Sequence, residues 1–219
     1  MSENLIEIER KKASEFDFKL DNDQLLLSKE NVYLAEAIFR ILYKKSELES
    51  AIKKLEKEYK VEKIEYVCRK VNSENNTHLR DYERKAISKA IFKEYQTFDE
   101  FKTALIAEEY PLVKLIRGLE NKEIKTKKGN KKIRDNYSFA TKFCHYSCIY
   151  LFDDYKEQDQ CPIYDSVIVK YVKSTSIYKE KYREEDLKNY KKFVEIIDSI
   201  KGKEISRNGF DHLVWLYNR

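Results

Sequence analysis

Apolar positions recur at helical spacing along most of the chain. In "SKENVYLAEAIFRILYKK", Val32, Leu34, Ala35, Ile38 and Leu42 fall near one face of a helix. "SELESAIKKLEKEYK" follows, with Ser46 and Glu49 spaced as a capping box, in which hydroxyl and carboxylate satisfy free amides at a helix start. The stretch from Ser73 to Tyr95 predicts another helix, with Ile87, Ala90, Ile91 and Tyr95 on a face. Thr97 and Glu100 form a second capping box, and Pro111 opens a short helix that Gly118 ends. "REEDLKNYKKFVEIIDSIKG" and "NGFDHLVWLYNR" predict the last two helices. "VEKIEYVCRKV" fits strand or helix equally, and residues 1–28 offer only the short apolar patches "FDFKL" and "QLLL". No repeat or linker divides the chain, so the pattern predicts one all-α domain over residues 1–219.

One predicted helix stands apart. "NYSFATKFCHYSCIYLF", residues 136–152, is apolar on most of its circumference, which predicts burial on most of its circumference. Phe139, Phe143, Tyr146 and Tyr150 share a face, and Lys142 lies beside them. An amine among aromatics loses solvation, which favours its neutral, nucleophilic form. The ordinary alternative is a lysine that rests its stem on apolar surface and keeps its head in water.

Composition sharpens this picture in two ways. Four glycines and two prolines in 219 residues leave few turn residues for a hairpin-rich β architecture. The net charge of +5 is modest, but it is unevenly placed. "NKEIKTKKGNKKIRDN" reads as a loop, and within it residues 122–134 set Lys122, Lys125, Lys127, Lys128, Lys131, Lys132 and Arg134 against the single acid Glu123 around a "GN" turn. Such a tip suits backbone phosphates, held by ammonium groups and turn amides, although a charge run is as a rule simply a solvated loop. No apolar leader and no stretch of about 18 apolar residues occurs, which predicts a cytoplasmic protein with no membrane contact and reduced thiols at Cys68, Cys144, Cys148 and Cys161.

Downstream, after the acidic turn "DDYKEQDQ", Asp165 in "CPIYDSVIVKYV" sits where a helix cap is expected. A carboxylate there stays ionised, since free amides and the helix dipole favour the anion. Capping alone would explain it, but a cap can also present an oxygen to a pocket.

"ATKFCHYSCIYLF", followed 23 positions after its lysine by Asp165, resembles the lysine-bearing helix and downstream aspartate of the helix-hairpin-helix DNA glycosylases, in particular the 8-oxoguanine glycosylase fold and its bacterial relatives. Ala140 and Thr141 match the small and hydroxyl residues before the lysine, and "FDHLVWLYNR" resembles a C-terminal helix of those relatives. The resemblance covers residues 133–172 and 207–217. It implies a two-lobed helical fold, with residues 122–172 supplying a basic hairpin, the catalytic helix and the aspartate segment. It implies that Lys142 attacks C1′ of a flipped nucleotide, that Asp165 stabilises charge on the sugar, and that strand cleavage can follow. DNA, double-stranded with a flipped base or single-stranded, would be the partner, held by Lys127, Lys128, Asn130, Lys131, Lys132 and Arg134. His145, Asp211 and Trp215 would line the base pocket, though a lone terminal tryptophan more often docks its own helix. No cofactor is implied.

The chain also departs from that family. The family's hairpin is rich in glycine, whereas "IRDNYSFATK" has none, which shifts the phosphate grip onto basic side chains. No four-cysteine iron–sulfur pattern is present, and no metal is expected at Cys144, Cys148, Cys161 and His145, since buried thiols are common. Two other readings remain: a non-catalytic nucleic-acid binder keeping the fold, for example in a defence or regulatory assembly, and a helical protein-interaction module.

Overall fold

The computed structural model describes residues 18–21, 24–42, 47–126 and 129–218, with the backbone alone for 24 and 40–42. The Ser46–Glu49 capping box, the place of Leu42 on its helix face, and Lys127 and Lys128 lie outside the described residues and side chains. What is described is mostly helical, as the spacing of apolar positions predicts. No described helix is long and apolar enough to cross a membrane. Two compact units make up the chain.

The central unit, Ser46–Tyr164, holds helices α2 (Glu47–Lys57), α3 (Val61–Glu74), α4 (Asp81–Glu94), α5 (Phe98–Ile106), α6 (Pro111–Arg117), α7 (Tyr137–Leu151) and the single turn α8 (Tyr155–Gln158). "VEKIEYVCRKV" resolves as helix because Ile64, Val67, Cys68 and Val71, at i, i+3, i+4 and i+7, are all buried. Between α6 and α7 runs an antiparallel ribbon of two strands (Glu123–Thr126 and Gly129–Lys132) in the stretch that the sequence presents as a loop. Helix α7 packs against α2, α3, α5, α6 and α8, which is why Phe139, Ala140, Phe143, Cys144 and Cys148 on different sides of it are all buried.

The predicted helix from Ser73 to Tyr95 is in fact two. Residues 75–80 form a loop in which Asn76 (φ 49°) and His78 (φ 57°) adopt left-handed backbone. The Asn72 carboxamide holds the turn together, accepting from the Leu79 amide at 2.6 Å and the Thr77 hydroxyl at 2.8 Å. The chain restarts as α4 because the Glu83 carboxylate accepts the Arg80 amide (2.8 Å).

The second unit joins Asp165–Arg219 to the described residues before Lys45. It contains a small hairpin (Leu20–Asp21 with Gln24–Leu25), α1 (Lys29–Leu42), α9 (Ser166–Ser174), α10 (Ser176–Lys181), α11 (Glu184–Lys188), α12 (Tyr190–Lys201) and α13 (Arg207–Tyr217). "REEDLKNYKKFVEIIDSIKG", read as one helix, breaks at Asn189, whose side chain caps α12 by accepting from the Lys192 amide. Helix α13 lies close on α1: a Cβ built at Gly209 would meet Val32 Cγ1 at 2.5 Å, so glycine sets the approach. Phe39 of α1 stacks on His212 (centroids 4.0 Å) and meets Trp215 edge-on at 5.6 Å.

Candidate functional site

One stripe of α7 explains why an otherwise apolar helix carries Thr, His and Cys. Thr141 Oγ1 donates to the Ser138 carbonyl (3.1 Å) and accepts the Tyr164 amide (3.0 Å). Tyr137, one turn earlier, stacks on the Tyr164 ring with centroids 4.0 Å apart, and the Arg117 guanidinium covers the Tyr137 ring at 4.0 Å. One turn later, His145 Nδ1 lies 2.8 Å from the Cys161 carbonyl oxygen. The Cys161 thiol is within hydrogen-bonding reach of Cys144 and Cys148, and both Cys161 and Cys148 point their sulfurs at the Leu105 carbonyl of α5 (3.7 and 3.8 Å). Positions 137, 141, 144, 145 and 148 share a helix face, and together they clamp residues 161–164 along it. The next residue is Asp165.

The clamp is buried, and its chemistry follows from that. Burial and the Cys161 contact hold the Cys144 thiol well above its ordinary pKa; at Cys148 the Cys161 contact acts first and burial second. All four cysteines are free, and Cys144 and Cys148 behave as protonated core thiols rather than nucleophiles. His145 is buried, and desolvation pulls its pKa from 6.5 down to about 4. Because Nδ1 faces a carbonyl it carries the proton, which leaves Nε2 as a buried acceptor with no hydrogen-bond partner among the described residues. The linkage sign is set by this depression. Below pH 6.5 the unfolded chain binds a proton that the folded imidazole refuses. Stability therefore falls from about pH 6.5 to about pH 4, by up to about 3 kcal/mol from this group. His145→Asn, whose amide can still donate to Cys161, should lose less stability than the wild type when chemical denaturation at pH 7 and pH 4.5 is compared.

Lys142 follows Thr141 directly and is half-buried, beside the stacked pair Tyr146 and Tyr150. Asp165 caps α9 as its sequence position predicts: Oδ1 accepts the Val167 and Ile168 amides, each at 3.0 Å. Asp211 is buried and Trp215 half-buried on α13, with the Trp215 ring directed at Phe39. Trp215 thus docks α13 on α1.

The basic ribbon is built differently from a loop. Its outer end is exposed, but its base is locked. The Ile133 amide donates to the Lys122 carbonyl and the Asn121 amide to the Ile133 carbonyl. The Tyr82 hydroxyl donates to the Lys132 carbonyl. Arg134 is committed inward: its backbone amide (3.0 Å), Nε (3.2 Å) and Nη2 (2.9 Å) all bond the fully buried Glu83 carboxylate. Burial pushes the Glu83 carboxyl up, but the Arg134 and Arg80 bonds outweigh it and hold its pKa below the ordinary value. Arg134 therefore anchors the ribbon, and the cations left for an external anion are the lysines. Asn130 is exposed on the second strand.

Sequence reasoning missed the 75–80 loop. Two non-glycine residues with left-handed backbone cost on the order of 1 kcal/mol each and persist only where surroundings over-determine them. Here the Tyr146 hydroxyl donates to Asn75 Oδ1 (2.9 Å), Arg84 holds the Leu79 carbonyl (2.7 Å), and Arg134 Nη2 holds the His78 carbonyl. The loop, the ribbon base and α7 are thus braced together within one unit. The doubled asparagine in "ENNTH" was the available signal.

Compared with protein-family models, with characterised proteins and with solved structures, the chain matches none.

Proposed function

We propose that this chain is a DNA glycosylase of the helix-hairpin-helix type, in which Lys142 and Asp165 act on one extruded nucleotide. The Lys142 amine, in its neutral form, attacks C1′; the bond from C1′ to the base breaks, and the base leaves with the electron pair and takes up a proton. The C1′–O4′ bond of the adduct then breaks, O4′ taking up the proton that the nitrogen gives up, which leaves an imine between Nζ and C1′ from which β-elimination can cut the strand. Asp165, at the start of α9, offsets positive charge as it grows on the sugar.

The observation that carries this reading is the clamp. The residue before Lys142 bonds the amide of the residue before Asp165, so two positions 23 apart in sequence start from neighbouring points of backbone. The test is to incubate the protein with duplexes carrying modified or damaged bases and add borohydride, which reduces an imine to a stable amine. A covalent protein–DNA product is expected from wild type and none from Lys142→Gln. Absence of product across all lesions, with DNA binding intact, overturns the reading.

The second reading, a non-catalytic nucleic-acid binder, is favoured by the exposed ribbon lysines Lys122, Lys125, Lys131 and Lys132, which suit an anionic partner whether or not Lys142 reacts. It expects DNA binding that is sensitive to those lysines and indifferent to Lys142 and Asp165.

A further inference from the structure

Several surface lysines elsewhere in this protein are neutralised at home. Lys53, Lys60, Lys85, Lys114, Lys173 and Lys192 each pair with a carboxylate. On the ribbon, no carboxylate among the described residues pairs with Lys122, Lys125, Lys131 or Lys132. The ribbon is also a poor core element, since every described residue of its second strand is exposed. An element that buries little but is bolted at its base by a buried carboxylate is built to present its outer side to something else.

The register shows what it presents. Directly opposite residues of an antiparallel pair share a face, and successive residues alternate. Glu123 pairs with Lys132, and Lys125 with Asn130; Glu123 and Lys125 are the exposed positions of the first strand. Ile124 and Thr126, the half-buried positions, lie on the other face, and the first strand packs toward α4. The outward face therefore sets the Lys125 ammonium directly beside the Asn130 carboxamide, with the Lys132 ammonium one pair further down, opposite the Glu123 carboxylate. A lysine matches the guanine O6 and N7 acceptors, and an asparagine matches the adenine N6 and N7 pair. A two-stranded ribbon fits the roughly 12 Å major groove of B-form DNA and not the roughly 6 Å minor groove. Four residues of strand span about 13 Å, or about four base-pair steps.

We infer that the ribbon enters the major groove of duplex DNA, with Lys125 and Asn130 on base edges and Lys132 on the phosphate backbone. This rests on the nucleic-acid part of the proposed function and adds to it: the partner is duplex beside the reacting nucleotide, and the ribbon reads it through the groove. The family resemblance supplies no such element, because the expected glycine-rich hairpin is replaced here.

The test reads equilibrium binding of the full chain, by fluorescence anisotropy, to an unmodified 20-base-pair duplex and to one of its single strands across a salt series. Lys132→Gln should reduce the slope of log affinity against log salt by about 0.9, as one lost phosphate contact does. Lys125→Gln with Asn130→Ala should weaken duplex binding about tenfold and leave single-strand binding nearly unchanged. A duplex whose pyrimidines carry bulky glucosylated groups at C5, which fill the major groove, should bind at least tenfold more weakly, while a minor-groove polyamide should not compete. Equal binding of the C5-modified duplex, competition by the polyamide, ribbon variants that bind like wild type, or no duplex binding at all each overturns the inference. Base release is scored separately. Groove-dependent binding without base release leaves the ribbon assignment standing and removes the glycosylase, whereas base release by ribbon variants at the wild-type level does the reverse.

Discussion

Replacing Asp165 by asparagine is expected to leave α9 in place and to slow base release by about 100-fold or more. The two effects separate because one atom does the capping. Oδ1 alone accepts both the Val167 and Ile168 amides, and an asparagine carboxamide oxygen can do the same. Asparagine ranks with aspartate as a helix cap. What the substitution removes is the negative charge, whose attraction to the helix dipole is worth about 0.3–1 kcal/mol. Stability should therefore stay within about 1 kcal/mol of wild type. Asp165→Ala loses the cap too, and should cost about 1 kcal/mol in addition to activity. If asparagine at this position supports full base release, capping is the whole of its role.

Glu83→Ala is expected to destabilise the protein by about 3 kcal/mol, measured as a lower denaturant midpoint with an unchanged slope. The buried carboxylate accepts from the Arg80 amide, the Arg134 amide and the Arg134 guanidinium. Deleting it strands two backbone donors, each costing on the order of 1–3 kcal/mol if left dry, and removes the bond that starts α4. The guanidinium is the lesser loss, because Arg134 is partly exposed and can rehydrate. The damage should spread along the ribbon: exchange of the Ile133 and Asn121 amides should quicken, since both bonds sit at the base that Arg134 pins. A change below about 0.5 kcal/mol, with protected ribbon amides, would show that the anchor holds nothing.

Elements whose cause is local were legible in the sequence. The Thr97–Glu100 box, the start at Pro111 and the Asp165 cap each depend on groups within three residues, and each is where the spacing put it. The break at 75–80 was not legible, because no glycine marks its left-handed residues and their support comes from Tyr146 and Arg134, 71 and 56 positions away. The ribbon was missed for a related reason. Lysine-rich strands carry no apolar alternation, and what shapes them is Gly129 at the tip (φ 97°) and a base tied to Glu83, 51 positions back. On α7 the oddity of Lys142 was visible, but the purpose of its polar neighbours was not. Thr141 and His145 make sense only once Tyr164 and Cys161 lie against them. Arg134, counted with the cations, bonds the buried Glu83 carboxylate while its side chain stays partly exposed, and nothing local distinguishes it from Lys132.

The most direct measurement is to digest the borohydride-trapped protein–DNA product and locate the modified residue by mass spectrometry. The account predicts a single nucleotide-derived adduct on the peptide that contains Lys142. An adduct on a ribbon lysine instead, with the Lys142 peptide unmodified, would contradict it.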